Sequence, residues 1–285
     1  MKVHIIFLSA GIIFAFFVFL IATSVYKEQT KPVIESKRTE MKQVPADVQA
    51  KAHTASPPAE LRVPILMYHY IRDYTNQDDQ LGIGLSVSPS TFQNQLTLLK
   101  NSGYQSITLN QFASGSYPNK SVVITFDDGY EDHYTDAWPI LKNAGMIGTF
   151  FVVKNFTGKS GYLTQDQIRE MRVGGMEIGG HSTSHKNLMN LSYEAAAKDI
   201  AQSLVGTDNV FCYPSGKYSP TTLEVVRDLK IRATVTTNYG IATDKSSLVE
   251  LPRIRVKNGT DLLTVIAEET AKAKLAASTS QNTSN

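Results

Sequence analysis

The chain has 285 residues, 42% of them hydrophobic and 19% charged, and 28 basic against 26 acidic side chains leave a net charge of +2. That balance is too mild for a nucleic-acid-binding surface, so no nucleic-acid partner is expected. The single cysteine, Cys212, excludes an intrachain disulfide and any thiolate-rich zinc site.

Residues 5–25 are almost wholly apolar, with Lys2 and His4 before them and Lys27 after them. At about 1.5 Å per residue the run spans roughly 30 Å, the thickness of a bilayer core. It is long for the apolar part of a signal peptide. Residues 1–26 therefore read as a single-pass transmembrane helix, with a signal cleaved near Ala22-Thr23-Ser24 as the alternative. Either reading sends the rest of the chain out of the cytoplasm, tethered to the cell membrane or secreted. Residues 27–60 mix charges and alanine with Pro32, Pro45, Pro57 and Pro58, and lack periodicity, as a flexible linker does. Residues 276–285 are rich in Ser, Thr, Asn and Gln and are expected to be disordered. That leaves 61–275 as one domain, expected to be monomeric.

Within it, short apolar runs alternate with helical patterns. Strands are expected at 64–69, 105–109, 122–127, 148–153, 176–180, 210–213, 233–237 and 251–256. Ser88-Pro89 opens a helix through Leu99, and a second covers 137–144, closed by Gly145. Thr164 and Gln167 form a capping box for a helix ending at Gly174. Ser192, Ser219-Pro220 and Asp261 open three more, running to Leu204, Leu229 and Leu275. Residues 74–85 read as a loop. Strands alternating with helices predict an α/β fold, a distorted or incomplete (β/α) barrel. In such barrels the chemistry sits at the C-terminal strand ends.

The strand at 122–127 belongs to the stretch V-V-I-T-F-D-D-G-Y, residues 122–130. Asp127 and Asp128 fall where the strand stops. A buried, unpaired carboxylate is costly, so the two acids require partners. About fifty residues on, His181-Ser182-Thr183-Ser184-His185 follows another strand end. Histidines four apart meet on one face of a helical turn, and with one carboxylate they make a facial metal site. Taken alone, His-x-x-x-His is as compatible with surface or capped-loop histidines.

The combination of T-F-D-D-G with H-S-T-S-H resembles the NodB-homology polysaccharide deacetylases, carbohydrate esterase family 4, over about residues 62–256. The resemblance implies a distorted (β/α) barrel and a divalent metal, for which zinc suits the ligand set, held by Asp128, His181 and His185. It implies that Asp127 is the general base. It also implies that the backbone N–H of Ser215, in the turn Tyr213-Pro214-Ser215-Gly216, donates to the oxyanion, with Tyr213 beside it; Tyr130 is a further candidate groove residue from its position directly after the Asp pair and Gly129. Two features depart from the family. The Arg usual before that turn is absent, and Arg253 in Leu251-Pro252-Arg253-Ile254-Arg255 is the substitute, unless both arginines are exposed strand residues. The late Leu-x-His acid is also missing, because no histidine follows His185. His69, ending P-I-L-M-Y-H, resembles the early acid of the poly-β-1,6-N-acetylglucosamine deacetylase branch; the alternative is a packed histidine bonded to backbone.

The activity so implied is removal of acetyl groups from N-acetylglucosamine units of a surface polysaccharide, poly-β-1,6-N-acetylglucosamine before peptidoglycan or acetyl xylan. A non-catalytic carbohydrate-binding domain on the same fold is the rival of a different class. His133 is expected on an exposed first helical turn, Trp138 in helix packing, and Cys212 as a small buried thiol.

Overall fold

The computed structural model describes residues 61–282. The expected membrane helix and linker, residues 1–60, lie outside the described residues. Among the described residues no helix is long and apolar enough to cross a membrane.

All eight expected strands form, most of them a residue or two shorter than expected. They are β1 (Ile65–Tyr68), β2 (Gln105–Ile107), β3 (Ser121–Phe126), β4 (Thr149–Val152), β5 (Glu177–Gly180), β6 (Val210–Cys212), β7 (Ala233–Tyr239) and β8 (Leu251–Arg255). Seven of them close a parallel ring in the order β1-β8-β7-β6-β5-β4-β3, with β3 pairing back to β1. β2 stands outside that ring. Along one edge β3 pairs with β1; along the other its first half pairs with β2 and its last two residues pair with β4. One strand edge thus serves two neighbours, and this is the distortion that the alternation of elements could not reveal.

The helices around the ring are α1 (Gln80–Leu85), α2 (Pro89–Asn101), α3 (Leu109–Ser114), α4 (Trp138–Ala144), α5 (Gln165–Val173), α6 (Tyr193–Ser203), α7 (Pro220–Asp228) and α8 (Leu262–Asn282). Their starts follow from the caps. The side chains of Ser88, Thr164, Ser192 and Ser219 each accept from the backbone N–H three residues on, which gives an otherwise orphaned donor a partner.

Four expectations need correction. Residues 74–85 are not all loop, because Asp79 caps α1 by accepting from Gly82 N and is itself held by the Tyr74 hydroxyl. The strand expected through Leu109 stops at Ile107, where Thr108 and Gln111 form a capping box that starts α3. The turn before α4 is a π turn, His133–Ala137, and His133 is fully buried rather than exposed. The wider turn rotates that side chain inward against Phe126 and Phe150. Finally, α8 runs on to Asn282, into the tail expected to be disordered. The alanines and lysines of 271–277 favour helix, and the Ser278 and Thr279 hydroxyls bond back to Leu275 O.

Strand alternation sorts the side chains into two layers. Even-numbered residues such as Leu66, Tyr68, Ile124, Phe126 and Ile178 face outward and pack with α2, α4, α5 and α8. Odd-numbered residues such as Ile65, Val123, Phe151, Val235 and Leu251 fill the ring, joined on β6, where the numbering is offset by one, by Val210 and Cys212, and Leu109 and Phe112 of α3 pack on them. Glu177 secures that floor, accepting from Leu109 N, Asn110 N and the Thr149 hydroxyl. The same inward series continues upward as Thr125 and Asp127, Gly179 and His181, Arg253 and Arg255. A polar site is therefore built on the C-terminal rim by the parity that builds the core.

Candidate active site

The register fixes the rim. Tyr68 pairs with Phe126, so His69 and Asp127 emerge side by side; Val152 pairs with Gly180, so His181 follows one step above β4. A pocket of about 390 Å³ opens there, lined among others by His69, Asp128, Tyr130, His185, Ser215 and Arg255.

Asp127 is nearly inaccessible, and Arg253 beneath it is fully buried. The guanidinium grips the carboxylate with two bonds, Nη1 to Oδ1 and Nη2 to Oδ2, both 2.7 Å. Its other three N–H donors go to Thr236 O, the Thr125 hydroxyl and Cys212 Sγ. All five donors are thus used, the condition under which a buried arginine is tolerable. Burial by itself would raise the Asp127 carboxyl, but the charge and hydrogen bonds of Arg253 outweigh it and bring it down to about 2. The carboxylate stays ionised and fixed. Arg253, the expected substitute for the missing upstream Arg, is thus a buried partner of Asp127 and not an exposed strand residue.

Asp128 has a φ of +77°, in the left-handed region. That turn aims its Oδ1 at two imidazoles, 3.3 Å from His181 Nε2 and 3.3 Å from His185 Nε2. His181 Nδ1 donates to Cys212 O at 2.7 Å, which fixes the tautomer and leaves Nε2 as a lone-pair donor toward Asp128. Ser182 and His185 also have positive φ, so the loop after β5 is bent to bring both rings in. Ligands of a tetrahedral ion bound at about 2.0 to 2.1 Å stand roughly 3.3 to 3.4 Å apart. The donor set and its spacing therefore fit a divalent cation, and these three residues would hold it.

His69 Nε2 lies 3.8 Å from Asp127 Oδ2. Burial lowers its basicity, against the pull of Asp127 and Asp128. Its backbone carbonyl accepts from His133 Nε2 at 2.6 Å, a support that sequence reasoning missed because only the π turn brings His133 inward. Ser215 also sits at positive φ. The two bonds of its turn, Gly216 N to Tyr213 O and Lys217 N to Pro214 O, leave the Ser215 N–H unused and available to an oxyanion. Tyr130 reaches the pocket rim between Tyr70 and Tyr162. Tyr213 does not join the site: its ring is fully buried, its hydroxyl donates to Val249 O, and it stacks on Tyr218. Parity explains this, since Tyr213 follows inward-facing Cys212 and so points out of the ring. Cys212 is the small buried thiol expected, and it also touches both Asp127 and Arg253, while burial pushes its thiol up. Trp138 packs against Tyr134 and Gly174, as expected.

Comparison with known proteins bears on the family of the chain. The polysaccharide deacetylase family model matches residues 114–234. YxkH of Bacillus subtilis, whose name places it among the polysaccharide deacetylases, is 33% identical over 249 residues, covering 81% of this chain and 85% of its own. A poly-β-1,6-N-acetyl-D-glucosamine N-deacetylase of Staphylococcus aureus is 26% identical over 198 residues, covering 61% of this chain and 68% of its own. Among solved structures, the Streptococcus pyogenes deacetylase PplD in complex with acetate superposes with a TM-score of 0.67 at 31% identity, covering 73% of this chain and 99% of that one.

Proposed function

The chain belongs to the polysaccharide deacetylase family and is a deacetylase hydrolase, and from that premise we propose that it hydrolyses the N-acetyl groups of poly-β-1,6-N-acetylglucosamine, with zinc as its cation. One observation carries the reading: Asp127, Asp128, His69, His181 and His185 line one pocket on the barrel rim. The substrate assignment rests on the similarity to the staphylococcal enzyme and on His69 after the first barrel strand. The apolar run at 5–25 supports an extracytoplasmic enzyme held at the cell membrane or secreted.

The roles follow from position. Asp128, His181 and His185 would hold the cation, which when bound polarises the acetamide carbonyl and acidifies water. Asp127, oriented by Arg253, accepts the proton of the attacking water. The Ser215 N–H donates to the oxygen on which negative charge develops. His69, beside Asp127, delivers a proton to the departing nitrogen, so the products are acetate and a free amine on the polymer. Arg253 touches no substrate and acts through Asp127 as a positioning residue.

The test is acetate release by the purified protein from β-1,6-linked N-acetylglucosamine oligomers, peptidoglycan and acetylated xylan, with and without a chelator. Release from the β-1,6 oligomers should be fastest, should stop with chelator and should return with zinc. Faster release from peptidoglycan or xylan moves the substrate assignment, and release that a chelator leaves untouched removes the cation.

A further inference from the structure

Arg255 is two residues beyond Arg253 on β8, so both side chains face inward, with Arg255 one layer nearer the mouth of the pocket. The arginines near it are all compensated. Arg253 is spent on Asp127, and Arg72 pairs with Asp132 while covering the Tyr70 ring. Among the described residues the Arg255 guanidinium has neither a carboxylate nor a hydrogen-bond partner, although it is only half-exposed. The acids of the pocket are already engaged, Asp127 by Arg253 and Asp128 by two imidazoles. The Arg255 charge therefore projects into the space where sugar units next to the scissile acetamide must lie. It is felt at His69, where it adds to the effect of burial in lowering basicity.

The reaction itself changes the charge of the polymer. Each turnover converts a neutral acetamide into a primary amine, largely an ammonium at neutral pH. Resting on the deacetylase reading above, we propose that Arg255 is a charge filter. It disfavours seating an acetylated unit whose neighbour has already lost its acetyl group, so the enzyme leaves isolated amines rather than runs of them. Two unit charges about 8 to 10 Å apart in an effective dielectric of about 20 to 30 give a penalty on the order of tenfold. A binding groove that ignored its own product would instead work in runs.

The test compares a fully acetylated β-1,6-linked N-acetylglucosamine pentamer with the same pentamer carrying one glucosamine, through the ratio of kcat/KM values, within each variant, for acetate release from the unit that adjoins the glucosamine and its counterpart in the fully acetylated oligomer. The wild type should favour the fully acetylated oligomer by roughly tenfold at low ionic strength, and the preference should shrink as salt screens the charges. Arg255→Lys should keep the preference, Arg255→Gln should lose most of it and Arg255→Glu should invert it. Mass-spectrometric mapping of products should show adjacent amines only in the last two. An unchanged ratio in Arg255→Gln overturns the filter alone. Loss of turnover on the fully acetylated pentamer in that variant also overturns it, by making Arg255 catalytic. A larger Arg255→Gln loss on carboxylate-bearing peptidoglycan fragments than on the pentamer overturns it in favour of an anion seat. No acetate from the wild type with the fully acetylated pentamer overturns the substrate assignment and the filter together.

Discussion

Asp127 and Arg253 are each tolerable in the barrel only because of the other. Removing one partner of a buried pair leaves an uncompensated charge, which typically costs about 3 to 5 kcal/mol. The pair also sets a pH dependence whose sign can be worked out. The Asp127 carboxyl is at about 2 when folded, against about 3.9 in an unfolded chain. A depressed carboxyl contributes stability that is fully present above the unfolded value and is lost as pH falls through the folded one. Linkage puts that contribution at roughly 2 to 3 kcal/mol. Denaturant titrations of the wild type and Asp127→Asn should therefore give a stability difference that shrinks by about this amount between pH 5 and pH 2. A difference that stays constant across that window would show that Arg253 does not hold the carboxylate as described. The residues of this network were unequally legible in the sequence. His69, Asp127, His181 and Arg253 stand at strand ends or on strands, where period-two alternation assigns a face, whereas Asp128 and His185 are legible only through the motifs that contain them. Thr125 and Cys212 share that parity, but a hydroxyl or thiol in an apolar run carries no signal of its own. His133 was misread because a sequence shows no difference between an α turn and a π turn.

Among the elements, the turn after β6 is the most constrained. A Cβ on Gly216 would come within 1.9 Å of Thr237 Oγ1, and the residue has a φ of +65°. Only glycine fits without moving either the turn or β7. The turn matters because it holds the Ser215 N–H toward the pocket, while the Ser215 side chain itself is exposed. Gly216→Ala should therefore lower kcat by tenfold or more with a smaller change in KM, since an oxyanion donor acts mainly in the transition state. Ser215→Ala keeps the N–H and should stay close to wild type. If the alanine at 215 proves the more damaging of the two, the hydroxyl rather than the backbone does the work. The Pro-Ser-Gly signature of this turn was readable in advance, as were the capped starts of α2, α5, α6 and α7. The start of α3 was not. Thr108 and Gln111 are a sound capping box, but they follow Ile107 and flank Leu109, and the apolar pair continued a strand pattern until the cap interrupted it.

At the scale of the whole described domain, the barrel spends backbone strain at the rim that its core does not need. Of the six non-glycine residues at positive φ among the described residues, Asp128, Ser182, His185 and Ser215 lie in the loops that form the site, while Asn209 and Lys230 lie elsewhere. Such residues cost of order 1 to 3 kcal/mol each and persist only where the surroundings hold them. Three of the four shape the triad of Asp128, His181 and His185, in which each imidazole Nε2 lies 3.3 Å from the carboxylate. A cation there would tie the segments after β3 and β5 together across the ring, so its binding should register as stability of the entire domain and not only as activity. At a free concentration about 100 times its dissociation constant, a cation that binds only the folded state adds about 2.7 kcal/mol. For a domain of this size that is a rise in Tm of roughly 5 to 10 °C. Calorimetry of chelator-stripped protein should show this rise on adding zinc. Asp128→Ala and His181→Ala should abolish it. Asp127→Asn should keep it while losing most turnover, because Asp127 is bonded to Arg253 and stands outside the triad. A shift that survives in Asp128→Ala, or vanishes in Asp127→Asn, would exchange the roles of the two neighbouring acids. That exchange would also undo the parity argument: Asp127 points into the barrel because it continues the inward series of β3, and Asp128 reaches the two histidines only through its left-handed turn.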